Sequence, residues 1–441
     1  MTAADLELAL AERRPSVAAR PSIVEAAAEI SAGTPRVPLG RAWDIASSFA
    51  ARIRKACPLV EEIAVAGETR RYSQLVKGLA VVARAPDPEA VLATIERMSE
   101  LPGISVRTPR RIILTTNGHE IDLRVAPPDE FGTVLFTATG PALHVATVLG
   151  RRGTRLSATE PDVYEHGGLR YLPPELRDRP DALTLAAGQG ELPLVSRSDI
   201  LGDLHVHTNY SDGRDTLETM IGAAAALGYE YVAITDHSEH AAASRTITVD
   251  ALSRQKDEID ALRGRFPDLT ILQGIEVDIL ADGSLDCPDA VLSRLDIVLA
   301  SLHEQHGHDR GRLTERCLQA IRHPLVSIIT HPANQLVGHR AGYDMDYDRI
   351  YAEAAANGTI LEIDGAPNHL DLDGDRAQAA VLAGVTVSID SDCHKASALA
   401  RQMALGVGTA RRGGVTAVQV ANTRPLAALR QLLARKRRPS C

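Results

Sequence analysis

The stretch Gly202-Asp203-Leu204-His205-Val206-His207-Thr208 begins apolar and ends on two imidazoles spaced two residues apart. In an extended strand that spacing puts His205 and His207 on one face and turns Val206 to the other. The same plan recurs at 231–237, 269–278, 295–303, 324–331, 359–364 and 385–392, each an apolar run with a His, Asp or Glu near its end. Apolar runs of this length suit parallel strands buried on both faces. Between them lie amphipathic segments that predict helices over 217–227, 253–265, 313–322 and 347–356. Seven strand–helix units in succession predict a closed or nearly closed α/β barrel, whose strand ends meet at one rim.

The polar residues that would share this rim are His205, His207, Asp212, His237, Glu276, His303, His331, Asp392 and His394. Twelve of the fifteen histidines fall between His205 and His394, so their clustering belongs to the barrel and not to the whole chain. One histidine at a strand end is ordinarily a hydrogen-bonded structural residue, but nine converging groups without metal would carry a large desolvation cost. Imidazoles mixed with carboxylates suit borderline divalent ions such as zinc, manganese or iron, and nine ligands exceed the needs of one ion. Two or three ions together can activate water and hold a phosphoryl group, so the pattern predicts a hydrolase of phosphate esters. His205, His207, Glu276 and Asp392 are expected around one ion and the other five around its neighbours, with Glu276 as the bridge. Asp203 and Asp236 adjoin ligand histidines and are candidates to orient an imidazole; local loop hydrogen bonding is their alternative role.

The remainder of the chain limits the alternatives. Its 441 residues are enough for two or three domains. A net charge of −9, four Phe and one Trp (Trp43) argue against a strongly basic or base-stacking nucleic-acid binder. The basic run 435–438 reads as a solvated helix end. Five scattered cysteines without a C-x-x-C pair suit a reducing compartment, and Cys393, between two proposed ligands, falls on the alternate strand face as a packing residue. With no signal-like start and no span of membrane length, a cytoplasmic protein without a membrane partner is expected. Residues 41–155 predict an α+β arrangement: a helix over 43–55, strands near 60–66, 78–83, 112 and 121, and a helix near 89–100. The expected organisation is a helical amino-terminal segment 1–38, an α+β domain 39–180, a Pro/Gly-rich linker 181–197 and the barrel 198–441.

The barrel motifs resemble the PHP (polymerase and histidinol phosphatase) superfamily, with all nine expected ligand positions filled. With R-V-P-L-G-R-A at 36–42, V-A-G-E-T-R-R at 65–71, I-D-L-R-V at 121–125, F-G-T-V-L-F-T-A-T-G-P-A-L-H at 131–144, Y-L-P-P-E-L-R at 171–177 and D-I-L-G-D-L-H-V-H-T at 199–208, most of the chain resembles a bacterial family X DNA polymerase. The resemblance implies a nucleotidyltransferase-like palm before a PHP barrel, two or three divalent ions (Mn²⁺ foremost, with Zn²⁺, Fe²⁺ or Mg²⁺ as other occupants), and hydrolysis at DNA 3′ ends as exonuclease, phosphatase or abasic-site endonuclease. It also makes Arg340 a candidate substrate-phosphate contact, which with Asp236 completes the candidate catalytic set; Lys395, His306 and His308 are weaker candidates to touch substrate.

The departures from that family bear on function. Its paired aspartates on the first palm strand are Gly78 and Ala80 here, leaving Asp122 alone, and Glu68 replaces a serine at the nucleotide turn. One carboxylate cannot hold two Mg²⁺ ions against a triphosphate, so polymerase activity is expected to be lost. Arg70, Arg71 and Arg124 could contact phosphate, although ion pairing is their expected state. Asp364 stands where the family usually has Asn. A small-molecule or nucleotide phosphatase is the rival within the same chemistry, and a non-catalytic DNA-binding scaffold is the rival from another class.

Overall fold

The computed structural model describes residues 36–98, 103–116, 118–151, 153, 155–241 and 243–436, which fall into two compact units divided between Leu192 and Pro193. The predicted amino-terminal helices before residue 36 and the end of the basic tail lie outside the described residues.

In the carboxy-terminal unit the strands Gly202–Val206, Tyr231–Ile234, Thr270–Asp278, Ile297–Ser301, Ile328–Ile329, Ile360–Asp364 and Val387–Asp390 form one seven-stranded sheet, each beside its neighbour in sequence. Every pairing is parallel. The first and last strands meet through a parallel bridge between Val206 and Cys393, through the Leu204 amide on Asp390 Oδ1 (2.9 Å), and through the His207 amide on the Cys393 carbonyl (3.0 Å). The barrel is therefore nearly closed, with side chains sewing a seam that the backbone ladder leaves incomplete.

Helices Leu217–Ala226, Val249–Arg263, Arg310–Arg322, Tyr347–Asn357 and Gly374–Leu382 begin at Thr216, Thr248, Asp309, Asp346 and Asp373, whose side-chain oxygens each accept an amide hydrogen bond from the first turn. Such caps set where each helix starts and contribute about 1 kcal/mol apiece. Strand alternation splits the apolar residues into two layers. Val232, Ile234, Val298 and Ala300 pack toward the helices, while Tyr231, Ala233, Ile297 and Leu299 join Leu429 and Leu433 of the terminal helix Leu426–Lys436 in a second core. The polar residues of the strand ends are left to gather apart from both.

The amino-terminal unit is α+β, as expected. Helix Leu39–Ala56 precedes a mixed sheet in the order Glu62–Ala66, Leu79–Arg84, His119–Ala126, Arg111–Thr116, Ile104–Thr108. Only the pairing of Leu79–Arg84 with His119–Ala126 is parallel. The stretch 181–197, read from its Pro and Gly as a linker, is built into the fold over part of its length. Ala182–Ala187 is helical with Ala182 and Ala186 buried, because an Ala/Leu run sustains a turn and a half between its breakers.

Candidate metal centre

The nine predicted ligands arrive at one rim from six of the seven strands and the loops that follow them. Glu276, fully buried in the third strand, is the hub. Its Oε2 lies 2.9 Å from His237 Nδ1, 3.3 Å from His205 Nε2 and 3.5 Å from His207 Nε2. Its Oε1 lies 3.0 Å from His331 Nε2 and 3.4 Å from His303 Nε2. Asp392 Oδ1 is 3.1 Å from His207 Nε2 and 3.6 Å from both His205 Nε2 and His394 Nδ1. Asp212 Oδ1 completes the far side, 3.2 Å from His394 Nε2 and 3.6 Å from His237 Nε2. Three groups follow in which the ligand atoms all lie within 4.8 Å of one another: His207–Asp212–His237–His394, His205–His207–Asp392 and His237–Glu276–His303. Eight of the nine predicted residues belong to them. His331 instead reaches the rim through its contact with Glu276.

Three observations fit this donor set to cations. First, His205 Nε2 and His207 Nε2 stand 3.0 Å apart, a distance at which at most one nitrogen can donate. Second, His237 Nδ1 and Glu276 Oε2 approach to 2.9 Å and yet, among the described residues, neither atom makes a hydrogen bond, so the two converge without a proton aligned between them. Third, the far nitrogens of two rings are anchored. His205 Nδ1 donates to Glu362 Oε1 (2.7 Å) and His303 Nδ1 to Asp278 Oδ1, which fixes Nε2 of each ring as the nitrogen turned toward the cluster. A carboxylate behind the imidazole is the usual way a metal-binding histidine is oriented and made more basic.

The electrostatics agree. Burial disfavours charge on His303 and His394, but Glu276 with Asp278 and Asp392 with Asp212 overcome it and hold these imidazoles up at about 10 and about 9. Burial, with His394 and His237 beside it, drives His207 down to about 3. Burial would raise Glu276, but His237, His205 and His303 hold it well below the usual carboxylate range. The pocket stabilises positive charge beside its acids and keeps an uncharged imidazole between stacked rings, His207 lying 4.4 Å from His237 and 4.2 Å from His394.

Glu362 and Asp278 were not among the residues expected to orient imidazoles. Each alternates with another acid, Glu362 with Asp364 and Glu276 with Asp278, and that two-residue spacing on a buried strand end was the available signal. Of the residues that were expected, Asp236 accepts five donors: the amides and hydroxyls of Thr208 and Ser211, and Gln255 Nε2. No imidazole is among them, so Asp236 anchors the loop leading to Asp212. Asp203 likewise accepts backbone amides, those of His205 (3.3 Å) and Ser391 (3.2 Å). Arg340 is exposed, and its guanidinium donates to the Asn334 carbonyl and Oδ1 at 2.8 Å each. Lys395 and His306 are exposed, and His308 lies 3.5 Å from Arg316 Nη1. Cys393 is buried as expected, and burial pushes its thiol up to about 12. His369, unremarked in the sequence, stacks on His331 with ring centroids 5.2 Å apart.

The amino-terminal unit has a different balance of charge. Ala80 stands in register beside Asp122, so a methyl group occupies the place where a second carboxylate would face it. Asp122 itself is held by Arg111 Nε (2.8 Å) and by Arg124 Nη2 (3.0 Å). Arg70 pairs with Glu160 (2.6 Å), Arg71 with Asp178 (2.9 Å), and Glu68 Oε2 accepts the Lys77 amide (2.6 Å). The arginines that might have met phosphate are thus engaged with acids of the same unit.

The PHP domain family matches residues 203–365. Over 428 residues the chain is 32% identical to the DNA polymerase/3′-5′ exonuclease PolX of Bacillus subtilis, covering 92% of this chain and 74% of that one. A probable phosphatase of Syntrophotalea carbinolica is 30% identical over 209 residues, 45% of this chain and 82% of that protein. Among solved structures, the histidinol phosphate phosphatase of Lactococcus lactis, complexed with zinc, L-histidinol and phosphate, aligns at 17% identity and a TM-score of 0.37, covering 48% of this chain and 94% of that one. A likeness that runs through both units, with the acids of the first palm strand replaced and the nine rim positions filled, means that the chain belongs to the PolX-type family of bacterial family X DNA polymerases, with a PHP domain behind a degenerate polymerase domain.

Proposed function

We propose that the barrel rim is the active centre of a metal-dependent phosphoesterase that works on DNA 3′ ends, and that the chain no longer polymerises. The observation that carries the hydrolytic reading is the convergence of three ligand groups on one rim around the two-sided Glu276 carboxylate. When bound there, divalent cations would supply an activated water and positive charge for the phosphoryl oxygens. The chain's own residues do the rest. Glu362 and Asp278 fix which nitrogen of His205 and His303 faces the cluster, Glu276 turns its two oxygens to different imidazoles and would hold cations on either side, and Asp236 holds the loop that brings Asp212 to the rim. Arg340, steadied by Asn334, is the proposed contact to a substrate phosphate. Loss of polymerisation is supported by Ala80 opposite Asp122 and by the arginines that occupy Asp122.

The DNA assignment is supported by a likeness to the Bacillus subtilis protein that extends through the amino-terminal unit as well as the barrel. A small-molecule phosphatase is the second reading, favoured by relatives named as probable phosphatases, which match about half of this chain or less. The test is a panel of substrates offered to metal-reconstituted protein: small phosphomonoesters, 3′-phosphoryl DNA, and single- and double-stranded oligonucleotides. Shortening from the 3′ end supports the DNA reading, and turnover of sugar or nucleotide phosphates alone overturns it. A folded His205→Ala protein that keeps full turnover would overturn the metal centre as the site of reaction.

A further inference from the structure

A fourth convergence stands on the sixth strand and the loop that follows it. Ligand atoms of Asp364, His369 and Asp392 lie within 4.8 Å of one another, apart from the three groups already described except for the shared Asp392. Asp364 ends the strand Ile360–Asp364 and is completely buried. Its Oδ1 accepts the Ala366 amide at 2.6 Å, but its Oδ2 has no hydrogen-bond partner among the described residues. His369 Nδ1 is also buried and without one. A carboxylate oxygen held out of water with no donor is costly, and the carboxylates that bear on it, Asp392 and Glu362, add like charge.

These side chains are held in place by their backbone. The Asp364 amide donates to the Asp371 carbonyl (2.7 Å), and the His369 amide donates to the Ala366 carbonyl (2.9 Å). Gln335 Nε2 donates to the His369 carbonyl (2.9 Å), and the His369 ring lies 24° from the plane of His331. The imidazole is thereby kept beside the cluster. Two carboxylates and one imidazole balance the charge of a dication and suit the same borderline metals as the rest of the rim.

We propose that Asp364 and His369, sharing Asp392, form an additional divalent-cation position next to the three groups of the rim. The inference rests on the reading that the rim binds cations, and it goes beyond that reading by assigning a position to two residues outside the nine.

The test is stoichiometry. Metal-stripped full-length protein is dialysed against Mn²⁺, and bound manganese is measured by elemental mass spectrometry for the wild type, Asp364→Asn and His369→Gln. Each variant is expected to bind one molar equivalent fewer than the wild type while keeping the others, and those retained equivalents show that it has folded. Equal stoichiometry in all three proteins would overturn this inference and leave the rim reading standing. Absence of bound manganese in the wild type would overturn both. As a second measurement, anomalous scattering from wild-type crystals soaked in Mn²⁺ is expected to show a peak between Asp364 and His369, and its absence with peaks elsewhere on the rim would also overturn the inference.

Discussion

Glu362 never points a lone pair into the cluster from the first row, yet it holds two of its members, His205 through Nδ1 and His331 through the backbone amide, both at 2.7 Å. Replacing it with Gln keeps the size and removes the charge that makes His205 basic. Metal affinity of Glu362→Gln is expected to fall about 10- to 100-fold with the fold intact, measured by Mn²⁺ titration beside a circular dichroism spectrum. Unchanged affinity would mean that the orientation of His205 is set by something else. Backbone conformation adds to the residue-level constraint. His331 (φ 27°) and Asp392 (φ 48°) both occupy the left-handed region that non-glycine residues rarely adopt, and both stand at the rim. Strain of this kind is retained where the surroundings over-determine it, which is the situation at a crowded ligand cluster.

At the scale of elements, close approach sets the limits. A Cβ on Gly365 would meet the Gln402 carbonyl at 2.1 Å, because helix Leu399–Arg412 lies directly against the turn after the sixth strand. Gly365→Ala is expected to destabilise the barrel by about 1–3 kcal/mol, read as a lowered denaturation midpoint; an unchanged midpoint would show that the helix can shift. In the amino-terminal unit, helix Ala142–Gly150 carries His144, whose Nε2 lies 2.7 Å from the Tyr164 hydroxyl. Burial, with Arg177 beside it, pushes this imidazole down to about 4. Unfolded, it titrates near 6.5, so between these values the unfolded chain binds more protons than the folded one. The stability tied to neutral His144 is present above pH 6.5 and is lost as pH falls toward 4, by up to about 3 kcal/mol. Urea unfolding followed by fluorescence of Trp43, the single tryptophan, should show that slope, and His144→Gln should flatten it.

The same scale shows what could be read in advance. Seven strands were legible because each is an uninterrupted apolar run, and the convergence of the nine candidate residues was legible because strand ends of a parallel barrel must meet. Glu362, Asp278 and His369 were not, since a chain written in one dimension gives no distance between an acid on one strand and an imidazole on another. For Asp236 the two readings could not be separated in advance: adjacency to His237 in sequence puts its side chain on the opposite face, toward Thr208, Ser211 and Gln255, which is the loop-anchoring alternative. The helix within 182–187 was masked by the prolines and glycines around it.

Across the whole molecule, the described residues contain no helix long and apolar enough to cross a membrane. Their burial instead goes into two separate units, and in the barrel a polar cluster replaces apolar packing at one end. Five imidazoles on one carboxylate without a cation are mutually unfavourable, so bound ions should stabilise the native barrel by mass action, about 3 kcal/mol for a site at a hundredfold excess over its dissociation constant. Chelation is accordingly expected to lower the barrel's calorimetric midpoint by roughly 5 °C or more, with recovery on adding Mn²⁺. An endotherm indifferent to chelator would count against resident cations. The seam described above has one further outcome. The rim draws His205 and His207 from the opening strand and Asp392 and His394 from just past the closing one, almost two hundred residues later. A nascent polypeptide stalled short of that final stretch lacks Asp392 and His394, so it cannot gather the full set of nine side chains until the closing strand has been made.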